Sequence, residues 1–195
     1  GHRGRCFSSG TQTMNGTSSI VFLHTLRDVT MVPVRRAHQE LDEVNDSPNV
    51  GGAILINGVD HPVSLIDVTF VNFTARLIGG AIVVMDVPKH NRITLFRAMF
   101  MECDAYNDVE ETYGAGLGVI NAYVRVIKST FRFNGKRVHN GGAIALVTHE
   151  YLGNDKVGSL QMTTGTFTNE LYVEGTGFFD NKASASGGAV FAGQG

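Results

Sequence analysis

The sequence predicts an all-β fold in which short strands stack as a parallel β-solenoid of about five to six coils. Strand-forming Val, Ile, Thr and Phe are plentiful, tryptophan is absent, and glycine occurs 24 times against four prolines. Two short motifs also recur along the chain, a glycine-rich tetrad and a segment centred on phenylalanine. The composition predicts strands, and the recurrence predicts that successive repeats stack on one another.

The glycine-rich tetrad predicts the start of one strand in each coil. It reads Gly-Gly-Ala followed by an aliphatic residue in four copies, at 51–54, 79–82, 141–144 and 187–190, with a permuted copy at 114–117. Glycine suits a corner that needs positive φ or close backbone approach, and alanine suits a crowded interior. We therefore expect a tight turn and then a strand at each of these five sites.

The second motif predicts two further strands in each coil. Its anchors are Phe70, Phe100, Phe131 and Phe178, with Met31 in a degenerate first copy. Mostly apolar residues lie seven, five and two positions before each anchor. Positions −7 and −5 form one run of period 2, and positions −2 and 0 form another, with a shift of one residue between the two runs. A strand, a bend near positions −4 and −3, and a second strand would turn these side chains inward. The anchors are therefore predicted to form an interior ladder.

Repeats of this length also occur in other architectures, which the motifs do not favour. Leucine-rich, ankyrin and helical repeats require helical spacing of apolar residues. A β-sandwich does not repeat side-chain identity at fixed offsets. We therefore expect residues 1–195 to form one solenoid domain, a fragment of a longer repetitive chain, with inserted loops at 34–50 and 147–170.

Stacking converts motif positions into columns of side chains about 4.8 Å apart. Three residues after the anchors, Asn134 and Asn181 are expected to bond the backbone and each other, and Cys103 to act as a small buried hydrophobe. Three residues before the anchors, Asp67 is expected to pair with Arg97. Cys6 precedes the first coil and Cys103 lies in the third, so we expect no disulfide between them.

Composition and spacing exclude several classes of function. The net charge is −2 without a basic stripe, which excludes nucleic-acid binding, and no apolar run reaches the ~18 residues that span a bilayer. The seven histidines lack metal-ligand spacing. Polysaccharide lyases and glycosidases also use parallel β-helices, but Asp28 with Asp67 is the single stacked acidic pair. The acidic cluster from Asp104 to Glu111 is expected to be a solvated loop. No catalytic, cofactor-binding or metal-binding residue is predicted.

The paired motifs resemble the FxxN and GGA[ILV] repeats of the chlamydial polymorphic outer membrane proteins, and related repeats in surface proteins of other microbes. Segments 131–134 and 178–181 match FxxN, 70–73 and 100–103 depart at the last position, and 31–34 departs at both ends. The most similar stretch is FFDNKASASGGAVFA at 178–192. The resemblance implies a right-handed, single-stranded parallel β-helix that is exported and serves adhesion or scaffolding.

Taken together, the patterns favour an extracellular or cell-surface structural or adhesive protein without catalytic activity and without a cofactor. The alternatives are a polysaccharide-degrading β-helix enzyme and a subunit of an extracellular filament or viral fibre. Expected partners are other coils or chains of the same protein end to end, and a surface receptor or glycan that contacts the inserted loops. Asn15, Asn45 and Asn72 lie in glycosylation sequons that a eukaryotic secretory route would use, although Pro48 weakens the second.

Overall fold

A computed structural model of the chain describes residues 10–14, 19–20, 25–27, 29–33, 50–108, 110–152 and 169–193. In these ranges the regular structure is almost entirely β-strand, with one 3-10 turn (Lys89–Asn91) and one short helix, α1 (His149–Leu152). The strands are β1 (Gly10–Met14), β2 (Ser19–Ile20), β3 (Thr25–Arg27), β4 (Val29–Pro33), β5 (Ile54–Asn57), β6 (Val63–Ile66), β7 (Thr69–Val71), β8 (Thr74–Ala75), β9 (Ile82–Val87), β10 (Ile93–Phe96), β11 (Met99–Met101), β12 (Asp104–Ala105), β13 (Leu117–Ile127), β14 (Thr130–Arg132), β15 (Ile144–Val147), β16 (Glu170–Glu174), β17 (Gly177–Phe179) and β18 (Val190–Ala192).

Six of these strands form a parallel sheet, here called the anchor sheet, in the order β1-β4-β7-β11-β14-β17. Its register aligns the five anchors: Met31 pairs with Phe70, Phe70 with Phe100, Phe100 with Phe131, and Phe131 with Phe178. Strands separated by about 30 to 47 residues in sequence therefore lie side by side, equivalent residue beside equivalent residue.

A second sheet has ten strands in two rows, and the long strand β13 belongs to both rows and connects them. The first half of β13 pairs with β9 and β15, in the row that starts at the tetrads, and its second half pairs with β10 and β16. All these pairings are parallel. The permuted tetrad is in register with the others, because Leu117 pairs with Ile82 on one side and Ile144 on the other. The predicted all-β, parallel character is thereby confirmed.

The motifs predict three strands in each repeat, and the structure contains a fourth, short strand pairing as well. Strands β8 and β12 pair directly after the anchor strands, and isolated bridges link Val50, Ile78, Tyr113, Asn140 and Ser186 in series. The ends of the predicted inserts are also strand residues: Val147 closes β15, and Glu170 opens β16. Residues 148–152, which include α1, and residue 169 of the second insert are also described, and the rest of both inserts, 34–49 and 153–168, lies outside the described residues.

Left-handed backbone at fixed columns makes the bends between strands. Three residues before the anchors, Asp67, Arg97, Lys128 and Gly175 have φ of 50–56°. Two residues after the anchors, Asn72, Glu102, Phe133 and Asp180 have φ of 51–59°. This conformation costs an L-residue roughly 1–2 kcal/mol, so its recurrence in one column indicates that the pairing on either side imposes it.

Two apolar clusters cover the two faces of the tetrad row. The interior cluster joins the anchors to inward residues of the other strands, such as Leu65, Leu95 and Val126. The second lies on the outer face, where Met85, Ile120 and Val147 are buried beneath Leu152 of α1. Both faces of β9 are consequently buried, which explains why its six residues do not alternate between apolar and polar.

Candidate functional site

The aromatic anchors form a continuous stack of rings. Phe70, Phe100 and Phe131 are fully buried, with ring centroids 5.1 Å apart in the first pair and 4.4 Å apart in the second. Phe178 stacks on Phe131 at 5.3 Å but is only half-buried. Met31 is in the same register by its backbone, and its side chain lies outside the described residues. These rings pack against one another and carry no reactive group.

The asparagines three residues after the anchors bond along the stack. Asn134 accepts a hydrogen bond from the Cys103 backbone N–H at 2.9 Å and donates one to the Phe100 carbonyl at 3.0 Å. Asn181 repeats the pattern one level on, accepting from the Asn134 backbone N–H at 3.1 Å and donating to the Phe131 carbonyl at 2.9 Å. Each amide therefore satisfies two backbone groups of the preceding repeat, which is a structural role.

Hydroxyl groups two residues before the anchors form a second column of the same kind. Ser129 Oγ accepts from the Ala98 backbone N–H at 3.1 Å, and Thr176 Oγ1 accepts from the Ser129 backbone N–H at 3.2 Å. We call these two columns the amide ladder (Asn134, Asn181) and the hydroxyl ladder (Ser129, Thr176). In both, a polar side chain binds the backbone of the repeat before its own.

Cys103 occupies the amide-ladder column one repeat earlier. Its thiol is free and 1% exposed, and its Sγ lies 3.5 Å from the Met101 carbonyl oxygen. Burial raises the pKa of the thiol to about 12, so it is neutral at physiological pH. A neutral, buried thiol is a poor nucleophile, which assigns Cys103 to the core. Cys6 lies outside the described residues.

Asp67, the described member of the predicted acidic pair, is bound to a cation. Arg97 donates from Nε and Nη2 to the two carboxylate oxygens at 2.5 Å each. That bidentate bond holds the pKa of Asp67 below its usual value. Asp28 lies outside the described residues. The Asp67 carboxylate is therefore ionised, and each of its oxygens accepts a hydrogen bond from Arg97. A catalytic acid, in contrast, must hold a proton.

The expectation of a solvated acidic loop is wrong for Asp104. This residue opens β12 and is 5% exposed. Its carboxylate accepts from the Arg137 Nε at 3.0 Å and from the Ala105 backbone N–H at 3.0 Å. Asp108 and Glu111 remain exposed, as expected of a loop. Asp104 was misassigned because β12 is only two residues long and has no alternating pattern.

A buried His–Asp pair was missed altogether. His149 Nε2 lies 2.9 Å from Asp86 Oδ1, and their side chains are 9% and 1% exposed. Among the described residues, His149 Nδ1 and Asp86 Oδ2 have no hydrogen-bond partner. The pair joins helix α1 to the end of β9, 63 residues away. Gly58, Asp86 and Asn121 occupy one register column, four residues after the start of the tetrad strands, and all three have positive φ. The recurrence of Gly, Asp and Asn at this position was the partial signal in the sequence.

Of the three sequon asparagines, Asn72 lies within the described residues, and Asn15 and Asn45 lie outside them. Asn72 is partly exposed in the left-handed corner after β7, while the next residue, Phe73, is 3% exposed. Asn72 is thus partly accessible, whereas the sequon phenylalanine belongs to the interior cluster.

One shallow cavity of about 430 Å³ opens beside the last two repeats. Phe133, Asn134, Lys136, Asp180 and Lys182 line it. Phe133 is 43% exposed, and the Arg132 guanidinium lies 4.5 Å from the centroid of its ring. The cavity therefore combines an exposed aromatic face with basic side chains.

Within the ranges given above, no three His, Cys, Asp or Glu side chains are grouped as a metal site would require. The same ranges contain no helix long and apolar enough to cross a membrane. A comparison of the chain with protein-family models, with curated proteins and with solved structures finds no match.

Proposed function

We propose that the chain is a right-handed parallel β-helix that serves as an architectural or adhesive module of an extracellular or cell-surface protein, without catalytic activity. The observation that carries the proposal is the set of columns that run through the repeats. Aromatic side chains pack on their equivalents in the neighbouring repeat, the Asn134 amide donates to the Asn181 side chain, and the Thr176 hydroxyl accepts from the backbone N–H of its equivalent, Ser129. Side chains that pack and bond between repeats in this way build a rigid rod and are not available to react with a substrate.

The parallel sheets support the β-helix architecture. Equivalent residues pair from repeat to repeat in the anchor sheet and in both halves of the ten-stranded sheet. A chain that returns to the same sheet beside its previous passage, always in parallel, follows a helical path. The general preference for right-handed connections between parallel strands supports the hand.

The partners of the carboxylates support the absence of catalysis. Asp67 binds Arg97, Asp104 binds Arg137, and Asp86 binds His149. Glycoside hydrolysis needs two carboxyl groups that face each other across the scissile bond, one of them protonated. These three carboxylates instead hold one repeat to another.

The cavity at Phe133 supports an adhesive role. Aromatic and arginine side chains are enriched where protein surfaces meet a partner, and here Phe133, with Arg132 against its ring, lies beside two lysines and Asp180. We propose that a surface receptor or an acidic glycan binds there, in addition to any contacts that the inserted loops make. The resemblance of the FxxN and GGA[ILV] motifs to polymorphic outer membrane proteins is consistent with the same role.

Two assays test the proposed function. The protein should release neither reducing ends nor unsaturated products from acidic or neutral polysaccharides, and turnover that disappears in Asp67→Asn would favour the enzyme alternative. On a glycan array or on cells, binding should weaken at least tenfold in Phe133→Ser, whereas Met99→Ser, an exposed apolar residue away from the cavity, should bind normally. If Phe133→Ser and Met99→Ser bind equally well, the cavity is not the binding site.

A further inference from the structure

We propose that the ligand of the Phe133 region is an acidic polysaccharide, bound by an outward-facing surface that extends from the cavity onto the outer face of the anchor sheet. We call this surface the glycan patch and define it by Arg132, Phe133, Lys136, Phe179 and Asp180. The inference rests on the proposed adhesive function. It goes further by naming one class of ligand and the residues that recognise it.

Phe133 is the residue of the patch that the fold itself does not explain. Its column, two residues after the anchors, requires positive φ, and its other members are Asn72, Glu102 and Asp180. A bulky side chain at a φ of 57° is an outlier, and Phe133 is also 43% exposed, so burial does not compensate for the strained backbone. Strand β14 before it is paired on both sides, with β11 and β17. A strained, exposed aromatic residue on the side of the stack points to a contact outside the chain.

Phe179 supplies a second exposed aromatic ring beside the first. The Phe133 backbone N–H donates to the Phe179 carbonyl at 3.0 Å, and Phe179 is 53% exposed. A Cβ at Gly177 would lie 2.4 Å from the Phe179 ring, so the ring lies over the backbone of its own strand. Phe178 points into the interior stack, so the alternation along β17 turns Phe179 outward. The patch therefore offers two aromatic faces on which the C–H groups of sugar rings can pack.

Arg132 brings a positive charge to these rings. It is the register partner of Phe179, and its guanidinium lies 4.5 Å from the centroid of the Phe133 ring. Within the described chain, Arg132 and Lys136 form no ion pair, whereas other basic side chains each bind a carboxylate: Lys89, Arg97 and Arg137. A guanidinium binds a carboxylate or a sulfate group through two parallel hydrogen bonds. The charge complementarity thus favours an anionic ligand.

The carboxylates of the same region favour a sugar over a nucleic acid. Asp180 lines the cavity, and Glu102 occupies the column of Phe133 in the preceding repeat. A carboxylate accepts hydrogen bonds from hydroxyl groups but repels phosphates. Single-stranded nucleic acids also stack on aromatic rings between basic side chains, and their closely spaced phosphates would meet both carboxylates. A ligand with apolar ring faces, hydroxyl groups and scattered anionic groups matches the whole patch, and an acidic polysaccharide has all three.

Two pairs of polymers that differ in charge test the inference: polygalacturonate with its methyl ester, and dextran sulfate with dextran. In calorimetric titrations, the intact chain should bind at least one anionic polymer at least about tenfold more tightly than its neutral counterpart. Arg132→Gln should weaken that binding about tenfold, the loss expected for hydrogen bonds to a charged group. Arg92→Gln is the matched control, because it removes an exposed arginine before β10 and changes the net charge equally. It should bind as the wild type does, and both variants should keep the wild-type melting temperature.

Three results would overturn the inference: no binding of either anionic polymer, equal binding of charged and neutral polymers, or equal binding by the two arginine variants. Tighter binding of an oligothymidylate that Arg132→Gln weakens would assign the patch to single-stranded nucleic acid instead. Binding to cells separates these failures from failure of the proposed function. If Phe133→Ser loses binding to cells that neither anionic polymer competes away, adhesion stands and only the ligand class is wrong. If the wild-type chain binds neither cells nor polymers, the proposed function fails as well.

Discussion

At the second position of the tetrad, the space for a Cβ atom depends on the repeat to which the glycine belongs. At Gly142 a Cβ would lie 2.1 Å from the Gly188 oxygen and 2.4 Å from the Lys182 oxygen. At Gly188 the nearest atom would be 3.6 Å away. Ala115 occupies the same column in the permuted tetrad, so the requirement arises from the local approach of two backbones and not from the motif as such.

This difference predicts unequal effects of the same substitution. Gly142→Ala should lower the free energy of unfolding by about 3 kcal/mol, because two backbone carbonyls must move to admit the methyl group. Gly188→Ala should change it by less than about 0.5 kcal/mol, as expected at an open surface position. Urea denaturation of both variants measures the two values, and equal losses would contradict the close approach at Gly142.

The thiol of Cys103 predicts a loss of stability in alkali. Burial raises its pKa from 9.0 to about 12, so above pH 9 the unfolded chain loses a proton that the folded chain keeps. The contribution to stability is complete below pH 9 and falls by about 1.4 kcal/mol per pH unit until the folded thiol also ionises. In Cys103→Ala, the free energy of unfolding should decline less between pH 9 and pH 10.5. Parallel curves for the two proteins would contradict this assignment.

The sequence specified some residues far better than others. The five anchors and the residues five positions before them could be aligned because each copy repeats the same apolar pattern, and those offsets are the registers of the strands. Asp86 and His149 could not be paired in this way, because each occurs once and they meet across 63 residues. Repetition therefore revealed the columns, while a contact that occurs once, between residues far apart in sequence, was visible only in the three-dimensional structure.

At the scale of elements, helix α1 is a cover for the outer face of the tetrad row. Leu152 closes the outer apolar cluster, and the Tyr151 ring contacts Tyr113 with centroids 5.8 Å apart. Four residues are too few to form a stable helix alone, so tertiary contacts must hold it. The bond from His149 to Asp86 is a polar contact of this kind, and it anchors the start of the helix.

A double-mutant cycle tests that anchor. His149→Ala should lower the free energy of unfolding by about 3 kcal/mol, because it leaves the buried Asp86 carboxylate without its partner. In the Asp86→Asn background the same change should cost only about 1 kcal/mol, since a neutral amide is less costly to bury and asparagine tolerates positive φ. Additive losses would show that the two side chains do not interact. Increased binding of a hydrophobic dye by His149→Ala would accompany exposure of the outer cluster.

At the scale of the whole molecule, stability is built from contacts between neighbouring repeats. In such an array, each repeat is stabilised by the interfaces on its two sides, so an end repeat has one interface fewer. Strand β13 lies in the middle, paired with β9 and β10 on one side and with β15 and β16 on the other. Among the described strands, β16, β17 and β18 have partners on one side only.

This arrangement predicts a gradient of backbone protection along the stack. Amides of β13 should exchange only through global unfolding, because opening that strand breaks pairings in both directions. Amides of β17 should exchange by local fraying, at least about 100-fold faster, since Phe178 is half-buried and, among the described strands, its strand pairs with β14 alone. Native-state hydrogen exchange followed by mass spectrometry measures both, with β11, which is paired on both sides, as the internal control. Protection of β17 equal to that of β13 would contradict the gradient, because a one-sided strand reaches the global value only if something covers its free edge.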